Sequence, residues 1–414
     1  MIKVSHYLRL NAFFDMKLYL FLFAVLTFIV TISVNFPSAW ADENQEPIII
    51  GLDADLSAGA ARGGNAILRG AEIAVDKINA AGGVLGRKLQ LAVKDHRGNP
   101  ARGVDNIEDL LEIDNLVAIV GGGQTPVALA GLEIFHKNKM IFLVPWAAGT
   151  PIVDNGYDPN FVFRVSVRDE FAGSFLIKAA LDRGFNHPSL LLWRTGWGRS
   201  NEKAMSDAMN ALGIEIAKIE WLNSSEPDLT PKLASLADEG ADVIMLVSSA
   251  ADAVTVVKNM AEMAEEDRLP IISHWSLAGG DFFELASAYL KSVDLTFLQT
   301  FSFINPPFPD RAETLRQAYC ARYGPCETIT DLHSPVGIAH SYDLVHLLAK
   351  AIEQAGSIDP VLVRDQLENI DLYEGVMRNY NPPFTVQRHD ALDARDFTLS
   401  KYNKTGAIVP LGLQ

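Results

Sequence analysis

From residue 48 onward the chain switches repeatedly between two hydrophobic periods. Short apolar runs at 48–52, 117–120 and 140–144 have the length of buried strands, and 88–95 alternates like a strand covered on one side. Between them the spacing lengthens. Ile67, Ala71, Ala74, Val75 and Ile78 share one face of a helix over 66–80, which Gly82-Gly83 ends. Asn99-Pro100 opens a second helix carrying Val104, Ile107, Leu110 and Leu111. Such alternation predicts a doubly wound parallel sheet with right-handed crossovers. After an apolar stretch at 161–165 the rhythm restarts. Strands are expected at 189–193, 214–221, 243–247, 269–273 and 294–299, and helices at 201–212, 230–239, 251–264 and 281–290. A Pro-rich turn at 305–309 leads into helices over 311–323, 335–355 and 360–369, and strands and turns over 384–413 close the chain. The expected architecture is α/β, with two doubly wound parallel-sheet lobes.

Two loops of the leading lobe carry chemistry. Gly121-Gly122-Gly123-Gln124 and Pro145-Trp146-Ala147-Ala148-Gly149 each follow an apolar strand, and they run into Thr125-Pro126 and Thr150-Pro151. A threonine hydroxyl can cap free helical N–H groups, and proline fills the first helical position at no hydrogen-bond cost. Two helix starts would then lie side by side at the carboxyl edge of a parallel sheet, where backbone donors face a ligand. The pair reads either as half of a binding site or as two ordinary strand-to-helix connections. Trp146, Trp197 and Trp275 follow strand ends at the same edge; their flat surfaces either suit an apolar or aromatic body or pack the lobes. Arg62 and Arg194, in the corresponding loops, either pair a carboxylate bidentately or stay solvated.

Composition adds a compartment and excludes some classes. Residues 18–34 are almost wholly apolar, preceded by Lys17 and followed by the small-x-small pattern Ala39-Trp40-Ala41. Residues 1–41 therefore read as a cleaved secretory signal, with Met1 or Met16 as the start and an uncleaved membrane anchor as the competing reading. Losing Lys3, Arg9, Asp15 and Lys17 with that leader takes the net charge from −16 to about −18, which disfavours nucleic acid and anionic membranes. The histidines are scattered without an HExxH, so no metal is expected. Cys320 and Cys326, in an oxidising compartment, are expected to form a structural disulfide worth about 2 kcal/mol by the chain-entropy model.

Gly70-Ala71-Glu72-Ile73-Ala74-Val75, then Ile78-Asn79-Ala80-Ala81-Gly82-Gly83 and Gly86-Arg87-Lys88-Leu89, resemble the opening pattern of the periplasmic leucine/isoleucine/valine-binding protein family. The likeness continues through Asp95, Pro100, Val120-Gly121, Pro145-Trp146-Ala147-Ala148, Phe163-Arg164 and Ala351-Ile352, across residues 47–400. It implies a type I solute-binding protein whose lobes, 47–166 with 298–375 and 167–297 with 376–414, are joined by three hinge strands. Such a protein needs no cofactor. It works as a monomer in the periplasm, closes on a small molecule and delivers it to the membrane permease of an ABC importer. A sensor that presents its closed form to a membrane receptor is the alternative. A nucleotide or sugar-phosphate enzyme is disfavoured by the missing GxGxxG and GxSxG motifs and by the secretory leader.

By position, the family's carboxylate-holding loops correspond to Gln124 or Thr125 and to Ala147, Ala148 and Thr150, with one extra residue between Pro145 and Thr150. Trp197 matches the aromatic that the family places after the first strand of the second lobe. Ser249 stands where a tyrosine is common, and Gly63 replaces another aromatic. His274-Trp275-Ser276 occupies the place of the acidic residue that takes the ligand's ammonium. A buried, unpaired ammonium is costly, so an amino-acid ligand would need Asp252 or Asp281 as a substitute partner. The simpler expectation is a carboxylate ligand without the amine.

Overall fold

A computed structural model describes residues 45–324 and 326–412 of the chain; the leader expected at 1–41 lies outside the described residues. Strands β1 (Ile48–Ala54), β2 (Leu89–Asp95), β3 (Leu116–Gly121), β4 (Ile141–Val144) and β5 (Val162–Arg164) form an all-parallel sheet in the order β2-β1-β3-β4-β5. A second sheet is built from β6 (Pro188–Trp193), β7 (Ile219–Leu222), β8 (Val243–Val247), β9 (Ile271–Ser273) and β10 (Leu295–Gln299), also mutually parallel. After a small ladder of β11 (Tyr373–Glu374) and β12 (Asn379–Tyr380), β13 (Thr398–Tyr402) and β14 (Ile408–Pro410) join the second sheet antiparallel, giving β14-β13-β10-β9-β8-β6-β7. The expected α/β class with two parallel-sheet lobes is what the structure holds. The antiparallel edge arises locally: Asn403 Oδ1 accepts the N–H groups of Thr405 and Ala407, and Gly406 takes φ +88°, which turns the chain back on itself.

The chain passes between the sheets three times: at 165–168, after β10, and between Ala391 and β13. Before the third passage, Arg164 N–H donates to His389 O and Ala391 N–H to Arg164 O, so residues 389–391 run along the edge of the first sheet. Helix Pro335–Ala355, buried along most of its length, packs on helix Ala61–Ala80 over the first sheet. Cys320 and Cys326 are disulfide-bonded at the end of helix Pro309–Tyr323.

Helices Ala61–Ala80 and Gly196–Leu212 begin more than a turn earlier than their apolar periods predict. Glycine replaces side chains where each helix start presses on the strand before it. A Cβ at Gly64 would stand 1.8 Å from Asp55 O, and one at Gly198 would stand 1.9 Å from Trp193 O. The strand expected over 214–221 bonds to β6 only from Ala217, whose N–H donates to Pro188 O, because the left-handed cap at Gly213 first returns Ile214 N–H to Met209 O.

Candidate functional site

The carboxyl ends of the two sheets enclose a cavity of about 310 Å³. On the first-lobe side it is lined by the loop after β1, the start of helix Thr125–Lys137 and the loop after β4. The last of these is held from behind. Arg164, with no exposed surface, donates Nη1 to Ala147 O at 3.2 Å and to Gly149 O at 2.9 Å, and its Nε is paired with the buried Asp390. A trans peptide directs its N–H opposite to its C=O, so fixing the Ala147 carbonyl turns the Ala148 N–H away from the arginine. The neighbouring N–H groups are already used: Ala147 on Gly122 O (2.7 Å), Gly149 on Thr125 Oγ1 (3.2 Å) and Thr150 on Ser200 Oγ (3.0 Å). The Ala148 N–H takes part in none of these bonds.

Neither threonine caps its own helix. Gln124 occupies the N-cap of helix Thr125–Lys137 without a side-chain bond, while Thr125 accepts from Gly149 and so staples one loop to the other. Thr150 begins a helix of a single turn, Thr150–Val153, and its hydroxyl accepts Glu170 N–H at 3.1 Å. Of the two helix starts expected at the Thr-Pro pairs, only the one at Thr125 therefore opens a full helix on the cavity. Asp55 lines the cavity and accepts Ala58 N–H at 2.7 Å and Ala60 N–H at 2.9 Å, which builds the turn after β1. The expectation from sequence omits it; the available signal is an aspartate at a strand end followed by small residues, an Asx-turn pattern.

The second lobe contributes aromatic rings and hydroxyls. Trp275, in the loop after β9, meets Trp146 of the first lobe with ring centroids 5.3 Å apart. Trp197 stands edge-on to His274 at 5.0 Å and donates its indole N–H to Asp169 Oδ1 at 3.1 Å. Trp193, Ser224, Ser225, Ser249 and Ser276 complete this side, and of these only Ser249 is expected from the sequence.

Gly63, Gln124, Thr125, Trp146, Ala147, Ala148, Trp197, Ser249 and Trp275 thus come together around one cavity, whereas Arg62 and Thr150 do not line it. Arg62 forms ion pairs with Asp281 and Glu284 and joins the lobes beside the cavity. Arg194 lies over the Trp221 ring at 5.8 Å. Asp252 accepts Ser249 Oγ–H and Ser225 N–H, each at 2.7 Å, so neither Asp252 nor Asp281 presents a carboxylate to the cavity. Asp55 is the one lining carboxylate among the described residues, and both its oxygens already hold backbone N–H groups.

His340 sits at the hinge with no exposed surface. The Pro145 carbonyl can only accept, so Nδ1 donates to it (2.8 Å) and Nε2 accepts from Thr300 Oγ1 (2.9 Å). Burial pushes the imidazole down from 6.5 to about 4. The unfolded chain then binds more protons between those values, so the histidine's contribution to stability is complete above pH 6.5 and is lost as pH falls toward 4. The full swing is on the order of 3 kcal/mol. His346, also pushed down to about 4 by burial, acts in the same window. The expected result is that His340→Gln removes part, not all, of the fall in melting temperature between pH 6.5 and pH 4, measured beside the parent. An unchanged pH slope would show that His340 does not carry this linkage.

The family model described as periplasmic binding protein matches residues 47–407. Leu/Ile/Val-binding protein homolog 1 of Brucella suis biovar 1 (strain 1330) is 25% identical over 324 residues, covering 78% of this chain and 81% of its own. Among solved structures, the periplasmic binding protein type 1 from Bordetella pertussis Tohama I matches with TM-score 0.78 at 22% identity, over 88% of this chain and 100% of its own. An ABC transporter solute binding protein from R. palustris in complex with 4-hydroxybenzoate matches with TM-score 0.74 at 17% identity, over 88% of this chain and 95% of its own.

Proposed function

Because this chain belongs to the periplasmic binding protein family, we propose that it captures a small carboxylic acid lacking an α-amine and delivers it to the membrane permease of an ABC importer. The observation that carries this reading is the asymmetry of the cavity. One side offers the Ala148 N–H and a helix start for an anionic group; the other offers indoles and hydroxyls, with no free carboxylate for an ammonium among the described residues. The cavity of about 310 Å³ suits a ligand of one ring or a short branched chain. The acid group docks on the first lobe, its apolar body lies among Trp146, Trp197 and Trp275, and contacts from the second lobe favour the closed arrangement. The lobes hinge where the chain passes between sheets, and the protein acts as a monomer in the periplasm.

The relatives' names are compatible with a carboxylate: one is called Leu/Ile/Val-binding and another holds 4-hydroxybenzoate. The amine separates the two classes. Thermal shifts measured with leucine, valine, 4-methylpentanoate, benzoate and 4-hydroxybenzoate decide between them. The expected result is that an acid without the amine gives the largest rise, since a ligand at 100 times its Kd stabilises by about 2.7 kcal/mol. A larger rise with leucine or valine overturns the reading and makes Asp55 the partner of the ammonium.

A further inference from the structure

We propose that Asp169 is a positioning residue of this cleft: it holds the Trp197 indole as a fixed wall and ties that wall to the loop carrying the Ala148 N–H. The inference rests on the cavity being the ligand site, but Asp169 itself does not line it. Asp169 opens helix Asp169–Asp182, directly after the first passage between sheets, and has no exposed surface. Its backbone N–H donates to Ala148 O at 2.8 Å, which fixes the peptide that follows the Ala148 N–H. Its Oδ1 accepts the Trp197 indole N–H at 3.1 Å and lies 3.2 Å from His274 Nε2. His274 Nδ1 accepts the N–H of Trp275 at 2.9 Å, and its Nε2, which makes no hydrogen bond, is the nitrogen beside Asp169.

One carboxylate is therefore the meeting point of three separate stretches: the helix start at Asp169, the helix start at Trp197, and the loop of His274 and Trp275. Two of these stretches bring cavity-lining tryptophans. An acid that only complemented its own helix dipole would gain as much at the surface. This one is buried, directs Oδ1 to side chains from elsewhere in the fold, and leaves Oδ2 without a protein partner. Burial of an incompletely satisfied carboxylate is unfavourable, and it is tolerated where orientation has a use. Here the use is preorganisation. An indole anchored at Nε1 loses no rotamer freedom when a ligand meets its face.

The test combines Asp169→Ala, Asp169→Asn, Trp197→Phe and the double variant Asp169→Ala with Trp197→Phe. The first readout needs no ligand. The Trp197 indole N–H resonance, assigned by its disappearance in Trp197→Phe, is expected to shift upfield and exchange faster in Asp169→Ala while unfolding stays cooperative. Asp169→Asn keeps an acceptor oxygen and is expected to retain the resonance; if the alanine variant does not fold, Asp169→Leu removes the acceptor in its place. The second readout is benzoate affinity by calorimetry. About tenfold weakening is expected for Asp169→Ala and for Trp197→Phe, the order of one immobilised side chain, with little loss in Asp169→Asn and no further loss in the double variant. An unmoved indole resonance, or losses that multiply in the double variant, would overturn the role given to Asp169. Failure of benzoate to bind the parent would count against the ligand class instead, and the resonance would still report on Asp169.

Discussion

Arg164→Ala is expected to destabilise the protein by about 3–5 kcal/mol and to abolish its response to carboxylate ligands. The guanidinium is buried and meets three groups: the Asp390 carboxylate and the carbonyls of Ala147 and Gly149. Removing it leaves the Asp390 carboxylate with the longer Arg168 contact at 3.3 Å, takes the donor from the Ala147 carbonyl and leaves the Gly149 carbonyl with the Ile152 N–H alone. The functional loss has a separate cause. Once the Ala147 carbonyl is released, its peptide can rotate, and the Ala148 N–H no longer has a set direction. Arg164→Lys separates the two effects. It keeps the charge beside Asp390, but one ammonium cannot reproduce a planar fork that reaches two carbonyls and a carboxylate. Denaturant unfolding should therefore place the lysine variant between parent and alanine, while its thermal shift with acids stays close to zero. A lysine variant that binds as the parent does would mean that the loop holds its shape without the fork.

The second large effect is expected at the indole pair that bridges the lobes. Trp146 is 7% exposed and Trp275 1% exposed, and their mutual contact exists only while the lobes are together. A large apolar side chain contributes about 1.5–3 kcal/mol when fully buried, and in this pair much of that gain belongs to closure, not to folding. Trp275→Ala should then weaken ligand affinity by roughly 10- to 150-fold at 1.4 kcal/mol per decade, with a smaller change in denaturant stability. Small-angle scattering of the unliganded variant should show a more open particle than the parent. Unchanged affinity together with a large loss of stability would place Trp275 in the core of the second lobe and remove it from the closure mechanism.

Much of the architecture can be read along the chain because it depends on local spacing. The apolar runs that become β1, β3, β4 and β8, and the helical period over Pro335–Ala355, depend on which neighbours in sequence can be buried together, and that is settled within a dozen residues. Asn99 behaves the same way: it caps the helix it precedes, accepting from Ala101 and Arg102, since its partners lie next to it. Thr125 and Thr150 carry the same local signal and do otherwise, because Gly149 N–H and Glu170 N–H reach their hydroxyls from distant parts of the chain.

Charge pairing shows the division most clearly. Sequence determined that Arg62 stands in a small-residue loop near the cleft, but only the approach of the second lobe decided that it meets Asp281 and Glu284 in place of a ligand. Asp169 and Arg164 gained their roles in the same way, from partners up to 226 residues away. Periodicity records what a residue buries. The direction of a hydrogen bond, and whether its partner is already taken, depends on ångström-scale distances that exist only once the two sheets have been brought face to face.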